Sequence, residues 1–207
     1  MMPIGRRWKD QRKRDPYYRM AKEQGYRSRA AFKLKEVARM FGIFKDASVV
    51  LDLGAAPGGW LQVASQALEG EGLVLGVDLI AIEPLVNKNV KTILGDITDN
   101  STLGVVEHML PGPVDVLLSD LSPQVAGIWD VDHFNQLELT RHALNYVDRF
   151  LKPGGWIVMK VFQGAETDAF LAYLRSQLSY MKVFRPKATR KKSAEIYIVG
   201  RLPRKRM

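Results

Sequence analysis

At 207 residues the chain is long enough for one well-buried core and too short for two ordinary domains with a linker. It contains no cysteine, which excludes disulfides, thiolate metal sites and any cysteine nucleophile. The net charge of +9 is segregated: residues 1–35 hold twelve Lys/Arg against three Asp/Glu, residues 182–207 hold ten against one, and the middle keeps nine against eighteen. Two basic ends on an acidic body favour a polyanionic partner, because each phosphate neutralised releases counterions. A solvated, solubility-promoting tail would account for one such end alone. No apolar run approaches the ~20 residues needed to cross a bilayer, and the N-terminus lacks the apolar stretch of a secretory signal. A soluble, cytoplasmic protein is expected. His108, His133 and His142 are far apart without paired metal-ligand spacing and read as structural or surface residues, so no metal is expected.

In chain order, residues 1–16 are polar and basic, end in Asp15-Pro16 and read as a mobile arm. Trp8, Tyr17, Tyr18 and Tyr26 interleave this basic stretch and are placed to stack on bases. From Ser28 to Phe41 apolar residues recur at helical spacing, with Ser28 as N-cap and Gly42 as stop. Ser48–Leu53 reads as a buried strand and Trp60–Leu68 as a helix closed by Gly70. Strands follow at Leu73–Asp78, Thr92–Leu94 and Val114–Ser119. A helix over Phe134–Leu151 stops at Lys152-Pro153-Gly154-Gly155, and a strand runs over Trp156–Phe162. Ala165–Leu178 reads as a helix, and Lys182–Arg185 with Ile196–Gly200 as a closing hairpin. Strands separated by helices imply βαβ units and a largely parallel sheet covered on both faces. The chain divides into a basic extension, 1–25, and one α/β domain, 26–207, that ends in a basic tail.

In such sheets ligands bind beyond the carboxyl ends of the strands. After the first strand stands Gly54-Ala55-Ala56-Pro57-Gly58-Gly59-Trp60, after the second Asp78, near the third Asp96, after the fourth Asp120, and late in the fifth Lys160. A glycine-rich turn lets backbone approach a ligand at a helix N-terminus, and an acid ending the next strand can hold a ribose. The turn departs from G-x-G-x-x-G, since Ala56 stands where the second glycine belongs, which favours an adenosine cofactor without phosphates over a nicotinamide one. Lys160 lies in an apolar run (Trp156, Ile157, Val158, Val161, Phe162), where a lysine must be paired or functional. Without other information Lys33 is a solvated helix residue, and Asp78 or Asp96 merely caps a turn.

The run DLGAAPGGW (52–60) resembles motif I of the FtsJ/RrmJ family of ribosomal RNA 2′-O-methyltransferases. RSRAAFKL (27–34), LLSDLSP (117–123), VMKVFQG (158–164) and SAEIYIV (193–199) match further segments of that family in order and spacing. The resemblance implies a single Rossmann-like class I methyltransferase domain, with a mostly parallel seven-stranded sheet and a last strand antiparallel to its neighbours. It implies S-adenosyl-L-methionine as cofactor, with contacts at Gly58, Trp60, Asp78, Asp96 and Asp120. It further implies a catalytic tetrad of Lys33, Asp120, Lys160 and Glu195.

In that reading Lys160 is the general base, or stabilises the developing alkoxide, for methyl transfer to a ribose 2′-hydroxyl. A lysine titrates near ~10.4, and Lys33 beside Lys160 would lower that value while Asp120 and Glu195 oppose the shift. The favoured partner is a uridine of large-subunit (23S-type) ribosomal RNA in the A-loop, on a monomeric enzyme; anticodon-loop riboses of transfer RNA are the alternative. Base methylation fits poorly: there is no cysteine, and Asp120-Leu121-Ser122-Pro123 replaces the Asn/Asp-Pro-Pro-aromatic of amine methylation. From other classes, a non-catalytic RNA-binding module would not require the tetrad, and a NAD-dependent dehydrogenase leaves the basic ends unexplained.

Overall fold

The computed structural model describes residues 15–123 and 126–204. The apolar runs form one seven-stranded sheet: β1 (Val49–Leu53), β2 (Leu73–Asp78), β3 (Val90–Leu94), β4 (Val114–Ser119), β5 (Leu151–Phe162), β6 (Tyr180–Phe184) and β7 (Glu195–Arg201). Their spatial order is β3-β2-β1-β4-β5-β7-β6. The first five are parallel, and β7 is antiparallel to both β5 and β6. Among the described residues six helices connect and cover them: α1 (Pro16–Glu23), α2 (Ala31–Phe41), α3 (Gly59–Ala67), α4 (Asn100–Met109), α5 (Trp129–Phe150) and α6 (Thr167–Gln177).

Side-chain alternation sorts the strands between two cores. Val50, Val74, Leu118, Val158 and Tyr197 pack under α1, α2 and α3 with Ala21, Leu34, Val37, Trp60 and Leu61. Leu51, Leu75, Leu117, Ile157 and Met159 face α4 and α5 through Val106, Ala143, Tyr146 and Val147. Leu137 of α5 and Phe170, Leu171 and Leu174 of α6 close over Val161, Ile196 and Ile198. The expected doubly covered, mostly parallel sheet is observed, including the antiparallel last strand.

Several boundaries differ from the sequence reading. Asp15 and Pro16 open α1 instead of ending an arm: the Asp15 carboxylate accepts from Tyr17 N at 3.1 Å and Pro16 takes the first turn. Ser28 does not cap α2, which begins at Ala31 without a side-chain cap; its hydroxyl lies where a Cβ on Gly59 would fall, 2.3 Å away. Gly42 does end α2, in the left-handed conformation. Helix α4 buries only Thr102 and Val106, too few for a legible apolar face. Helix α5 starts five residues before Phe134, because the carboxylate of Asp132 gathers the Ala126 and Gly127 N–H groups and turns the chain into it. Strand β5 begins at Leu151, so Lys152-Pro153-Gly154-Gly155 belongs to its start. Tyr17 and Tyr26 both pack on Phe32, with centroids 5.7 Å apart; Tyr26 is buried and does not stand free for bases. Trp8 lies outside the described residues.

One carboxylate joins three strand beginnings. Asp115 accepts from Ser48 N at 2.7 Å and Val49 N at 2.8 Å, and pairs with Lys152. Burial alone would push its pKa up, but the Lys152 ammonium and the two amides outweigh burial and hold it below the ordinary carboxylate value. The stability it contributes is therefore present above the unfolded pKa of ~3.9 and is lost as pH falls through the lower folded value. Asp115→Asn should cost about 1–3 kcal/mol at neutral pH in urea unfolding, and the gap from wild type should narrow as pH drops below about 4. A gap that stays constant down to acid pH would show that the charge contributes nothing.

Candidate active site

The site lies where the sheet stops being continuous. Pairing of β4 with β5 ends at Ser119 opposite Met159, whereas β5 continues along β7 to Phe162 opposite Glu195. Beyond Met159 the β4 side of the strand would have unpaired backbone groups. The buried Gln136 amide of α5 takes them: its Nε2 donates to Lys160 O at 2.7 Å and its Oε1 accepts from Phe162 N at 3.1 Å. The chain leaving β4 is free to turn, and Asp120-Leu121-Ser122 folds over the end of β5.

Lys160 fills the resulting notch with its side chain 4% exposed. Its Nζ donates to Asp120 O at 2.8 Å and Ser122 Oγ at 2.7 Å, and lies 3.2 Å from Asp120 Oδ1. The ammonium thus has two hydrogen-bond acceptors and a carboxylate beside it. From α2, Lys33 Nζ donates to Glu195 Oε2 at 2.7 Å and to the Tyr197 hydroxyl at 3.0 Å. That hydroxyl donates onward to Asp120 Oδ1 at 3.0 Å. The four charged residues singled out in the sequence therefore meet as two ion pairs joined by Tyr197, which the sequence reading missed. Its place two residues after Glu195, on the same face of β7, was the available signal. Lys33 and Lys160 are linked through the Tyr197 hydroxyl and the Asp120 carboxylate.

Burial alone would raise the Asp120 pKa, but Lys160, Lys33 and the Tyr197 hydrogen bond together hold it below the ordinary value. Burial, with Asp120 and Glu195 nearby, pushes the Tyr197 phenol well up, so it stays protonated and can donate.

The glycine-rich turn links β1 to α3 on the other side of β4. The Asp78 carboxylate, at the end of β2, accepts from Ala56 N and Ile80 N, each at 2.8 Å, and so holds the turn in shape. Asp96 accepts from both the amide and hydroxyl of Thr98 at 2.8 Å, which lowers its pKa. Both acids perform the turn-capping that the sequence left as their structural role. Gly58 is left-handed, with φ 104°, and precedes the first turn of α3. The buried Trp60 indole donates to Ala30 O at 2.8 Å, so that side chain is committed to α2, and its ring lies 5.9 Å from that of Tyr197. Arg27 clasps the turn from outside through Pro57 O and Pro84 O.

Asp52, inside motif I but not singled out as a site residue, is the unexpected member. It is fully buried in β1, and neither carboxylate oxygen has a hydrogen-bond partner among the described residues. Burial, then the neighbouring Asp120 and Asp78 charges, push its pKa well above the ordinary value. An orphan acid beside a glycine-rich turn suits a cationic small molecule. Among the described residues there is no group of three or more His, Asp or Glu side chains able to hold a metal ion.

The chain around α1 and the start of α2 also meets the basic segment between β6 and β7 near this edge. Asp15 pairs with Arg29 and lies 3.7 Å from Arg190, and Arg29 donates to Ala188 O. The backbone of Lys187 donates to Glu36 at 2.8 Å.

A doubly wound sheet with a glycine-rich turn on one side of β4 and a buried lysine–acid chain on the other defines a small-molecule-dependent α/β enzyme. The chain belongs to the FtsJ-like methyltransferase family, whose model matches residues 26–202. It is similar to the protein named Ribosomal RNA large subunit methyltransferase E from Methanococcus vannielii, at 46% identity over 95% of this chain and 76% of that one. The protein of the same name from Methanothrix thermoacetophila is 49% identical over 91% and 72%. The one from Methanobrevibacter smithii is 42% identical over 95% and 94%. A solved structure described as a ribosomal RNA methyltransferase from Plasmodium falciparum superposes with a TM-score of 0.76 at 29% identity, covering 87% of this chain and all of that one.

The Tyr197 bridge is open to test by a double-mutant cycle. Tyr197→Phe and Lys33→Met should each destabilise the fold, and their combined cost should differ from the sum by about 0.5–3 kcal/mol in denaturant unfolding. Strict additivity would show that the hydroxyl does not couple the two pairs.

Proposed function

We infer that the protein transfers the methyl group of S-adenosylmethionine to a ribose 2′-hydroxyl of RNA. A uridine in the A-loop of large-subunit ribosomal RNA is the favoured acceptor, and the enzyme is read as a cytoplasmic monomer. The observation that carries the reading is the closed chain Lys33–Tyr197–Asp120–Lys160, with Glu195 on Lys33, in a member of a methyltransferase family. The relatives named for large-subunit ribosomal RNA, and the basic ends, support RNA as the partner.

The residues around the glycine-rich turn suit this cofactor. The first-turn N–H groups of α3, at Gly59 and Trp60 beside Gly58, can receive a carboxylate, and the unsatisfied Asp52 acid suits an ammonium. Asp78 is assigned to the adenosine moiety and Asp96 to the adenine. When bound, the cofactor supplies an electrophilic sulfonium methyl. The chain's own task is to hold and activate the hydroxyl. Lys160 is the group for this: it is buried, and two hydrogen bonds and the ion pair with Asp120 fix its ammonium in the notch. An incoming hydroxyl competes for one of those positions. Asp120 orients Lys160, while Glu195 and Tyr197 hold Lys33.

The decisive experiment separates catalysis from binding. Lys160→Ala should lose ~10²–10⁴-fold in single-turnover methyl transfer to large-subunit RNA, while calorimetry finds S-adenosylmethionine bound within several-fold of wild type. Lys160→Arg keeps the charge but cannot act as a base near neutral pH. If Lys160 takes the proton, the arginine variant should be as inactive as the alanine one; clear residual activity would instead make it an alkoxide stabiliser. Wild-type turnover by folded Lys160→Ala would remove Lys160 from the mechanism. Faster methylation of transfer RNA than of ribosomal subunits would move the acceptor to the anticodon loop.

A further inference from the structure

Where α5 begins, beside the notch, large apolar side chains face solvent: Ile128, Trp129, Val131 and Phe134 are all exposed. Trp129 is 47% exposed, yet its ring is ordered against two others. It lies nearly parallel to His133 (centroids 6.3 Å, 13°) and to Phe162 (6.1 Å, 22°). Phe162 in turn lies under the Lys160 ammonium, 5.9 Å from Nζ to ring centroid.

The surroundings fix this tier of rings. The buried His133 accepts from Glu166 N at 3.3 Å, and its ring fits only because residue 164 is glycine, whose Cβ would fall 2.6 Å from it. Asp132 ties down the loop before Trp129 through Ala126 N (2.6 Å) and Gly127 N (3.1 Å). The Gln136 amide holds the backbone of Phe162.

We propose that Trp129 and Phe162 form the stacking platform for an unpaired RNA base at or next to the methylated nucleotide. The proposal rests on the RNA 2′-O-methylation reading above. A base is attached to the ribose carbon adjacent to the one bearing the 2′-hydroxyl, so a hydroxyl directed at Lys160 carries its base into this neighbourhood. A planar, rigid, partly solvated ring stacks a planar base with little ordering cost and without reading its identity. Bases paired within a duplex offer no free face, so the acceptor segment must be single-stranded or splayed open.

Two variants and a short RNA probe test this. A short uridine-rich single strand should quench tryptophan emission of the wild type, and a perfect duplex should not. Trp129→Phe, which keeps a stacking ring, should bind the strand within about twofold but lose that quenching. Trp129→Leu, which keeps apolar bulk without a π-face, should bind about tenfold more weakly or worse, with KM for RNA raised similarly and S-adenosylmethionine affinity unchanged. Quenching by single strand from a wild type that methylates no RNA would sink the acceptor reading while supporting the platform. Normal RNA affinity and KM in Trp129→Leu, with an active wild type, would overturn the platform and leave the acceptor reading standing. A Trp129→Leu defect seen only on whole ribosomal subunits, and not on naked RNA, would likewise overturn it and assign the patch to protein contact.

Discussion

Two ammonium groups and two carboxylates can be brought to one edge of a β-sheet only if each is paired, because an unpaired buried ion costs several kcal/mol. That requirement reaches through much of the fold. Glu195 and Tyr197 both come from β7, two residues apart and hence on one face. They reach the lysines only because β7 runs antiparallel between β5 and β6, with Tyr197 directly opposite Lys160. A slip of one residue in that register would turn both side chains toward α5 and α6. Lys33 arrives from α2 on the other layer, and Asp120 from the end of β4, so three separate packing surfaces set a handful of hydrogen bonds.

Two neighbouring acids show what pairing does. Asp120 and Asp52 lie near each other at the same edge, yet their pKa values move in opposite directions. Asp120 has two lysines and a phenol, so the stability it contributes holds above the unfolded carboxylate pKa and is lost as pH falls through its lowered value. Asp52 has none, so its neutral form is the one that fits. Its contribution is complete below the unfolded pKa and is lost as pH rises through its raised value. An acid kept neutral for want of a partner is a strained element of the core, and its ion would be favoured by a cation placed beside it.

Much of this was legible in the sequence, for identifiable reasons. Strands buried on both faces read as apolar runs, and Lys160 was conspicuous as a charge inside one. Asp52 carried the same signal, a charge within VVLDL, but read as a motif letter and not as a buried acid. Asp15-Pro16 is a capping signal hidden in a basic stretch, which composition alone turns into a tail. Tyr26 was misread because an aromatic among lysines and arginines looks the same whether it packs on Phe32 or waits for a base. Gln136 was illegible for another reason: it matters through its one amide, whose partners are set by a helix crossing that no local pattern contains, whereas Tyr197 carried only its spacing from Glu195 as a signal.

Charge segregation along the chain takes on a different meaning in three dimensions. Strand β6 runs parallel to β5, so the basic segment between β6 and β7 emerges at the same edge as Lys160. The start of α1 and the chain entering α2 meet it there, through Asp15, Arg29, Ala188 and Arg190. Two strongly basic segments would repel one another, and Asp15, one of only three acids in the first 35 residues, stands between arginines from both. With that one carboxylate neutralising the contact, Arg29 and Arg190 bring positive charge to the side of the sheet that holds the notch, whereas Arg201 and Arg204 follow the end of β7 at the opposite edge. A polyanion attracted to the segment between β6 and β7 would lie on the same side of the sheet as the lysine chain, so that long-range attraction and the buried ion pairs share one edge.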